Sequence, residues 1–231
     1  MLFHTPFAIL PLMQKLEGVL SNLEGTLINN HPLIVASFRH TFDAHGIAQP
    51  RRGEILDTIG LPLSSSFQIL LKTSAFPNTD RLVATYLRFK RNNPQLATWF
   101  PDAKRSLEWM QEKKIPVSLV VTQSSVMTRN LLDHFGIAKM FHTVITRDDV
   151  KNHKPHPEAL HRALASMDIP ARHAIMFGHT ASDIEAGKAA RCRASIAISH
   201  EATTDKLLRT RPTIIIRSNW NLVSEVKKIL R

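Results

Sequence analysis

The chain has 231 residues, 43% hydrophobic and 21% charged, which is enough to bury one sizeable core and a small second one. Its formal net charge is +11, but basic clusters such as Arg51-Arg52 and Arg88-Phe89-Lys90-Arg91 are scattered and aromatic residues are sparse. We therefore expect a solvated basic surface and no nucleic-acid partner.

The first thirteen residues are apolar but contain Pro6 and Pro11, and they lack a basic leading region and a small-residue cleavage pattern. They are predicted to form an N-terminal extension, residues 1–13, and not a secretion signal.

No apolar run is long enough to cross a bilayer, so no membrane association is expected. Cys192 is the single cysteine, which excludes an intrachain disulfide and favours a cytoplasmic location.

Apolar runs typical of buried strands alternate with amphipathic stretches typical of helices, which predicts an α/β fold with a Rossmann-like parallel sheet. The predicted strands are 18–22, 117–122, 142–145, 173–177, 194–198 and 213–216. The predicted helices of this layer are 102–114, 125–135, 157–167, 181–190, 203–209 and 219–230.

Residues 31–97 interrupt the alternation, because their apolar residues follow helical spacing and no convincing strand is present. The sequence therefore predicts a small all-helical insert (31–97) after the first strand of a core formed by 14–30 and 98–231. Ser64, Ser65 and Ser66 follow Ile59-Gly60-Leu61-Pro62-Leu63 and are predicted to cap a helix, with substrate contact as the alternative.

Polar side chains follow several predicted strands. The first strand runs into a tight turn, Asn22-Leu23-Glu24-Gly25-Thr26-Leu27. The strand Val117 to Val121 ends in Thr122, with Gln123 and Ser124 opening the next helix. A hydroxyl and backbone N–H groups at such a junction are suited to holding a phosphate oxygen. The carboxyl ends of strands are also where open α/β sheets bind ligands.

Two further segments complete a set of four motifs, Lys154-Pro155 and Gly178-His179-Thr180-Ala181-Ser182-Asp183. In order and spacing the four resemble those of the haloacid dehalogenase superfamily. The all-helical insert 31–97 resembles the family's cap, and its position between the first two motifs is similar to that in the phosphoglycolate phosphatase-like and pyrophosphatase-like branch. The first motif of that family reads Asp-x-Asp-Gly-Thr-Leu, and the fourth reads Gly-Asp-Ser-x-x-Asp.

The resemblance implies a magnesium-dependent hydrolase that forms an aspartyl-phosphate. Asn22 then occupies the nucleophile position and Glu24 the general acid and base position. Thr122, Gln123 and Lys154 are implied to bind the phosphate of a small phosphorylated molecule or inorganic phosphate. His179 and Asp183 are implied to lie at the magnesium site.

Three of these positions depart from the family pattern, since Asn22, Glu24 and His179 stand where the family has aspartate. A carboxamide is a far poorer nucleophile than a carboxylate, and it brings no charge to a metal. The expected function is therefore a phosphatase-fold protein with impaired catalysis and a weakened magnesium site. The alternatives are an active phosphoglycolate phosphatase-like or pyrophosphatase-like hydrolase, and a pseudoenzyme that binds a phosphate ligand or a protein without turnover.

Overall fold

A computed structural model describes residues 16–72, 78–199, 204–217 and 224. Its main sheet contains six parallel strands in the order β5-β4-β1-β6-β7-β8. These strands are β1 (Gly18–Ser21), β4 (Val117–Val120), β5 (Val144–Ile145), β6 (Ala174–Gly178), β7 (Ala194–Ser199) and β8 (Ile214–Arg217). The α/β fold with a Rossmann-like parallel sheet is confirmed.

Both faces of the sheet are covered, and this explains why its strands are almost continuously apolar. Val19 packs in one buried cluster with α5 (Ala103–Glu112) and α6 (Ser125–Phe135). Its neighbour Leu20 packs in another with α7 (Glu158–Met167) and α8 (Ala181–Ala189). Successive strand residues point to opposite faces, so β1 carries side chains into both layers. A further helix, α9 (Thr204–Arg209), lies beside α8 and β7.

Four α-helices are described between residues 30 and 97. They are α1 (His31–Ala44), α2 (Arg52–Asp57), α3 (Leu63–Leu71) and α4 (Asp80–Asn92). Their apolar faces form a cluster of their own, in which the Phe38 ring packs on Phe67 at 5.0 Å and on Tyr86 at 4.8 Å between centroids. This separate cluster supports the division into core and cap, which stays a prediction.

A short antiparallel ribbon, β2 (Ile28–Asn29) with β3 (Thr98–Trp99), joins the helical segment to the rest of the chain. The sequence did not predict it, since two residues a strand are too few to show an alternating pattern.

The remaining differences between prediction and structure are local. β4 ends at Val120, so Thr122 lies in the loop after the strand. The prediction that Ser64, Ser65 and Ser66 cap a helix is wrong. They lie inside α3, whose N-cap is Pro62, and no side chain makes the capping hydrogen bond.

The predicted extension 1–13 lies outside the described residues, as does the predicted helix 219–230 apart from Ser224. Within the described part of the chain, no helix is long and apolar enough to cross a membrane.

Candidate functional site

A cleft of about 590 Å³ lies between the carboxyl ends of the central strands and the helical segment α1–α4. All seven residues that the sequence singled out line it: Asn22, Glu24, Thr122, Gln123, Lys154, His179 and Asp183. The parallel strands β1, β4 and β6 end at the same edge of the sheet, and this brings the three loops together although they are far apart in sequence.

Asn22 is fixed directly after β1. Its backbone N–H donates to the carbonyl of Phe177 on β6 at 3.0 Å. Its side-chain Nδ2 donates to the carbonyl of Glu24 at 3.0 Å and lies 3.2 Å from Nδ1 of His179. Because an amide N–H only donates, Nδ1 of His179 accepts in this contact. Both side chains are buried, so a neutral amide–imidazole pair occupies the end of β1.

The imidazole of His179 covers the turn that follows Asn22. Gly25 has a φ of +71°, and a Cβ at this position would lie 2.3 Å from Nε2 of His179. Glycine is therefore required at position 25 for two reasons, its positive φ and the close approach of the imidazole ring. Oγ1 of Thr26 lies 3.4 Å from Nδ1 of the same imidazole.

Asp183 is 1% exposed, and both carboxylate oxygens have partners. Oδ1 accepts from Nζ of Lys154. Oδ2 accepts from the backbone N–H groups of His179 at 3.1 Å and Thr180 at 3.0 Å and from the Thr180 hydroxyl at 2.8 Å, which caps α8. Burial opposes the charged form, but the Lys154 ammonium and these hydrogen bonds outweigh it and hold the pKa of Asp183 below its usual value.

Lys154 links two elements of the core. Besides its ion pair with Asp183, Nζ donates to the carbonyl of Val120 at the end of β4, at 2.8 Å. An ammonium has three N–H donors, so one remains for a ligand.

Glu24 faces the helical segment. Its carboxylate accepts from Nζ of Lys90 on α4 at 2.8 and 3.1 Å, from Nδ2 of Asn30, and from Nε2 of Gln123 at 3.3 Å. The sequence placed Lys90 in a surface cluster, which is wrong, because its side chain is only 4% exposed. Burial, and then the nearby Glu24 carboxylate, raises the pKa of Tyr86 far above its ordinary value, so this phenol stays protonated.

Sequence reasoning missed Lys90, Asn30 and Arg147. Arg147 lines the cleft from the loop after β5, and its backbone N–H donates to the carbonyl of Gln123 at 3.0 Å. None of the three belongs to a motif, and only the folded chain brings them to the cleft. Thr122, which the sequence did predict, lines the same cleft and is exposed.

These side chains do not suit Mg²⁺, which prefers several free carboxylate oxygens. Asn22 directs its amide nitrogen toward His179, and Asp183 has both oxygens engaged. Among the described residues, no group of three or more His, Cys, Asp or Glu side chains is arranged to hold a metal ion.

Comparisons with known proteins agree with this architecture. The model of the family "haloacid dehalogenase-like hydrolase" matches residues 19–197. Pyrophosphatase PpaX of Oceanobacillus iheyensis is 32% identical over 213 residues, 92% of this chain and 97% of the relative.

Two solved structures share the fold at low identity. One is a haloacid dehalogenase-like family hydrolase from Streptococcus pneumoniae, with a TM-score of 0.77 and 22% identity over 94% of this chain and 99% of that one. The other is a β-phosphoglucomutase from Clostridium difficile, with a TM-score of 0.70 and 17% identity over 93% of this chain and 97% of that one. The chain belongs to the haloacid dehalogenase-like hydrolase family.

Proposed function

We propose that this chain binds a small phosphorylated molecule in its cleft and does not hydrolyse it through an aspartyl-phosphate. The observation that carries the proposal is the 3.2 Å contact between Nδ2 of Asn22 and Nδ1 of His179. A neutral pair stands where the family mechanism requires one carboxylate to attack phosphorus and another to bind the metal.

The chemistry at Asn22 supports this assignment. A carboxamide oxygen is neutral and poorly nucleophilic. Losing a covalent nucleophile commonly lowers the rate by ~10⁴-fold or more.

The position of Glu24 also argues against turnover. Its extra methylene moves the carboxyl by roughly 1.5 Å relative to aspartate, enough to spoil a positioned proton transfer. Its carboxylate moreover accepts hydrogen bonds from Lys90, Asn30 and Gln123.

The charges of the site also argue against catalysis by Mg²⁺. Replacing two family aspartates by Asn22 and His179 removes two negative charges from the site, and the remaining acid, Asp183, is neutralised by Lys154. We therefore assign no step of a reaction to Mg²⁺.

Binding of a phosphate group remains chemically reasonable without metal. Lys154 retains one N–H donor, Thr122 and Gln123 line the same wall, and Arg147, which carries a guanidinium, also lines the cleft. These groups are suited to binding the oxygen atoms of a phosphate group that carries one or two negative charges.

A second candidate function is an active pyrophosphatase-like or phosphoglycolate phosphatase-like hydrolase. The 32% identity to pyrophosphatase PpaX over 97% of that relative's length favours it. For this function another group, Glu24 or a water held by His179, would have to replace the missing nucleophile.

Hydrolysis assays decide between the two. Pyrophosphate, phosphoglycolate and p-nitrophenyl phosphate should show no measurable turnover with Mg²⁺ and the unmodified chain. A triple variant, Asn22→Asp with Glu24→Asp and His179→Asp, should gain activity. Robust turnover by the unmodified chain that Glu24→Gln abolishes would establish the second function.

A further inference from the structure

The cleft has two chemically different walls. The polar wall belongs to the sheet loops and contains Asn22, Thr122, Gln123, Arg147 and His179. The opposite wall belongs to the helical segment, where the polar members Thr58, Ser66, Tyr86 and Lys90 are buried and the large side chains that stay partly exposed are apolar. They are Ile34, Ile59, Leu61, Leu63, Val83 and Leu87.

The apolar wall is not explained by packing within the helical segment. Ile34, Leu63 and Val83 pack against the helical cluster with one side and border the cleft with the other. Leu61 and Leu87 are 43% and 39% exposed, as large apolar side chains at the rim. A contiguous partly exposed apolar surface that lines a concavity is typical of a ligand site.

The charges of the polar wall limit the ligand. Of the cations that line the cleft in the described part of the chain, Lys90 is paired with Glu24 and Lys154 with Asp183, both inside the protein. Among the described residues, the exposed Asp148 is the one acid with a carboxylate oxygen within 4 Å of the Arg147 guanidinium, at 3.8 Å. One uncommitted guanidinium matches one phosphate group far better than the high charge of pyrophosphate.

The volume of the cleft also argues against pyrophosphate and favours a ligand with an organic group. At about 30 Å³ for each water, 590 Å³ holds about twenty water-sized groups, far more than inorganic phosphate or pyrophosphate fills. Either ion would leave the apolar wall in contact with water, whereas an organic group would cover it.

We infer, on the basis of the proposed function, that the ligand is an organic monophosphate with an apolar body. Its phosphate lies at Arg147, and its body lies against the wall that ends in Leu61 and Leu87. Pyrophosphate and small polar phosphate esters are poor ligands for this cleft.

Calorimetric titration without metal tests this, with methyl phosphate, hexyl phosphate and pyrophosphate as probes. Each methylene that leaves water should tighten binding by about fourfold. Since part of the chain stays exposed at the rim, hexyl phosphate should bind at least ~10-fold more tightly than methyl phosphate. Pyrophosphate should bind no more tightly than methyl phosphate.

Two variants separate the ends of the site. Arg147→Gln should weaken both esters by about tenfold and leave their ratio unchanged, with the exposed Arg172→Gln as control. Leu87→Asn should reduce the preference for hexyl phosphate by about threefold and spare methyl phosphate. Ile69→Asn is its control, since Ile69 is 55% exposed on the same segment but does not line the cleft.

Equal affinity for the two esters would overturn this inference and leave the proposed function intact, whereas failure of every phosphate to bind would overturn both. A preference for hexyl phosphate that survives Leu87→Asn, or an affinity that ignores Arg147→Gln, would also contradict the placement of the ligand.

Discussion

Nζ of Lys90 on α4 contacts both carboxylate oxygens of Glu24, at 2.8 and 3.1 Å, and so joins the helical segment to the loop after β1. Both side chains are largely buried, with exposed fractions of 4% and 12%. A buried ion pair contributes little net stability compared with an apolar pair, but removal of one partner leaves the other charge uncompensated.

Lys90→Met should therefore lower the free energy of unfolding by about 3 kcal/mol, measured by urea unfolding followed by circular dichroism. Arg91→Met, at the exposed next position of the same helix, is the control and should change it by less than about 0.5 kcal/mol. The double variant Lys90→Met with Glu24→Met should recover most of the loss. A cost for Lys90→Met below about 1 kcal/mol would mean that the pair behaves like a surface contact.

The contact between Gly25 and His179 gives a second prediction. Gly25→Ala introduces a Cβ 2.3 Å from Nε2 of His179 at a φ of +71°, and should destabilise the fold by about 1–3 kcal/mol. In a His179→Ala background the same substitution should cost less, because only the backbone term remains. Gly53→Ala in α2 is the control, since a Cβ there meets nothing within 4 Å. Equal costs in both backgrounds would show that the imidazole does not cover the turn.

The parallel sheet and the meeting of the four motif segments at its edge followed from sequence, because both depend on regular patterns. Apolar runs determine strands, and parallel strands deliver their carboxyl-terminal loops to one edge. Asn22, Thr122 and His179 each follow such a strand within two residues, and Lys154 lies in the loop between β5 and α7, so their convergence was predictable.

The partners of those residues were not predictable in the same way. Lys90 lies in a charged run that looks solvated, and only the packing of α4 over the loop after β1 buries it against Glu24. Arg147 carries no local signal either, since its place depends on the hydrogen bond that its backbone makes to Gln123. Long-range contacts of single side chains leave no periodicity in the sequence.

Glu158 gives a pH-dependent prediction for the loop that precedes α7. Backbone N–H groups of Asn152 and Lys151 donate to its carboxylate at 3.0 and 3.2 Å, and the pKa falls from its usual 4.5 to about 2. The folded state therefore holds fewer protons than the unfolded state between these values. The stabilisation is complete above pH 4.5 and is lost as the pH falls through about 2.

Glu158→Gln should accordingly be less stable than the unmodified chain at pH 7, with a difference that shrinks as the pH falls from 4.5 toward 2. Thermal melts across this range measure it. A difference in stability that stays constant with pH would show that the carboxylate charge plays no part in holding the loop.

The last prediction concerns Mg²⁺. A metal that binds only the folded state raises stability by RT ln(1 + [Mg²⁺]/Kd), about 2.7 kcal/mol at a hundredfold excess over Kd. The unmodified chain should show no such gain at millimolar MgCl₂, because Asn22 and His179 bring no charge and Asp183 is committed to Lys154. The triple variant Asn22→Asp, Glu24→Asp and His179→Asp should gain stability with MgCl₂ but not with NaCl at equal ionic strength.

Asn22→Asp alone should gain little, since the new carboxylate meets the His179 imidazole and pairs with it instead of with the metal. Equal stabilisation of the unmodified chain and the triple variant would mean that the amide and the imidazole leave a working magnesium site, and would favour the active hydrolase.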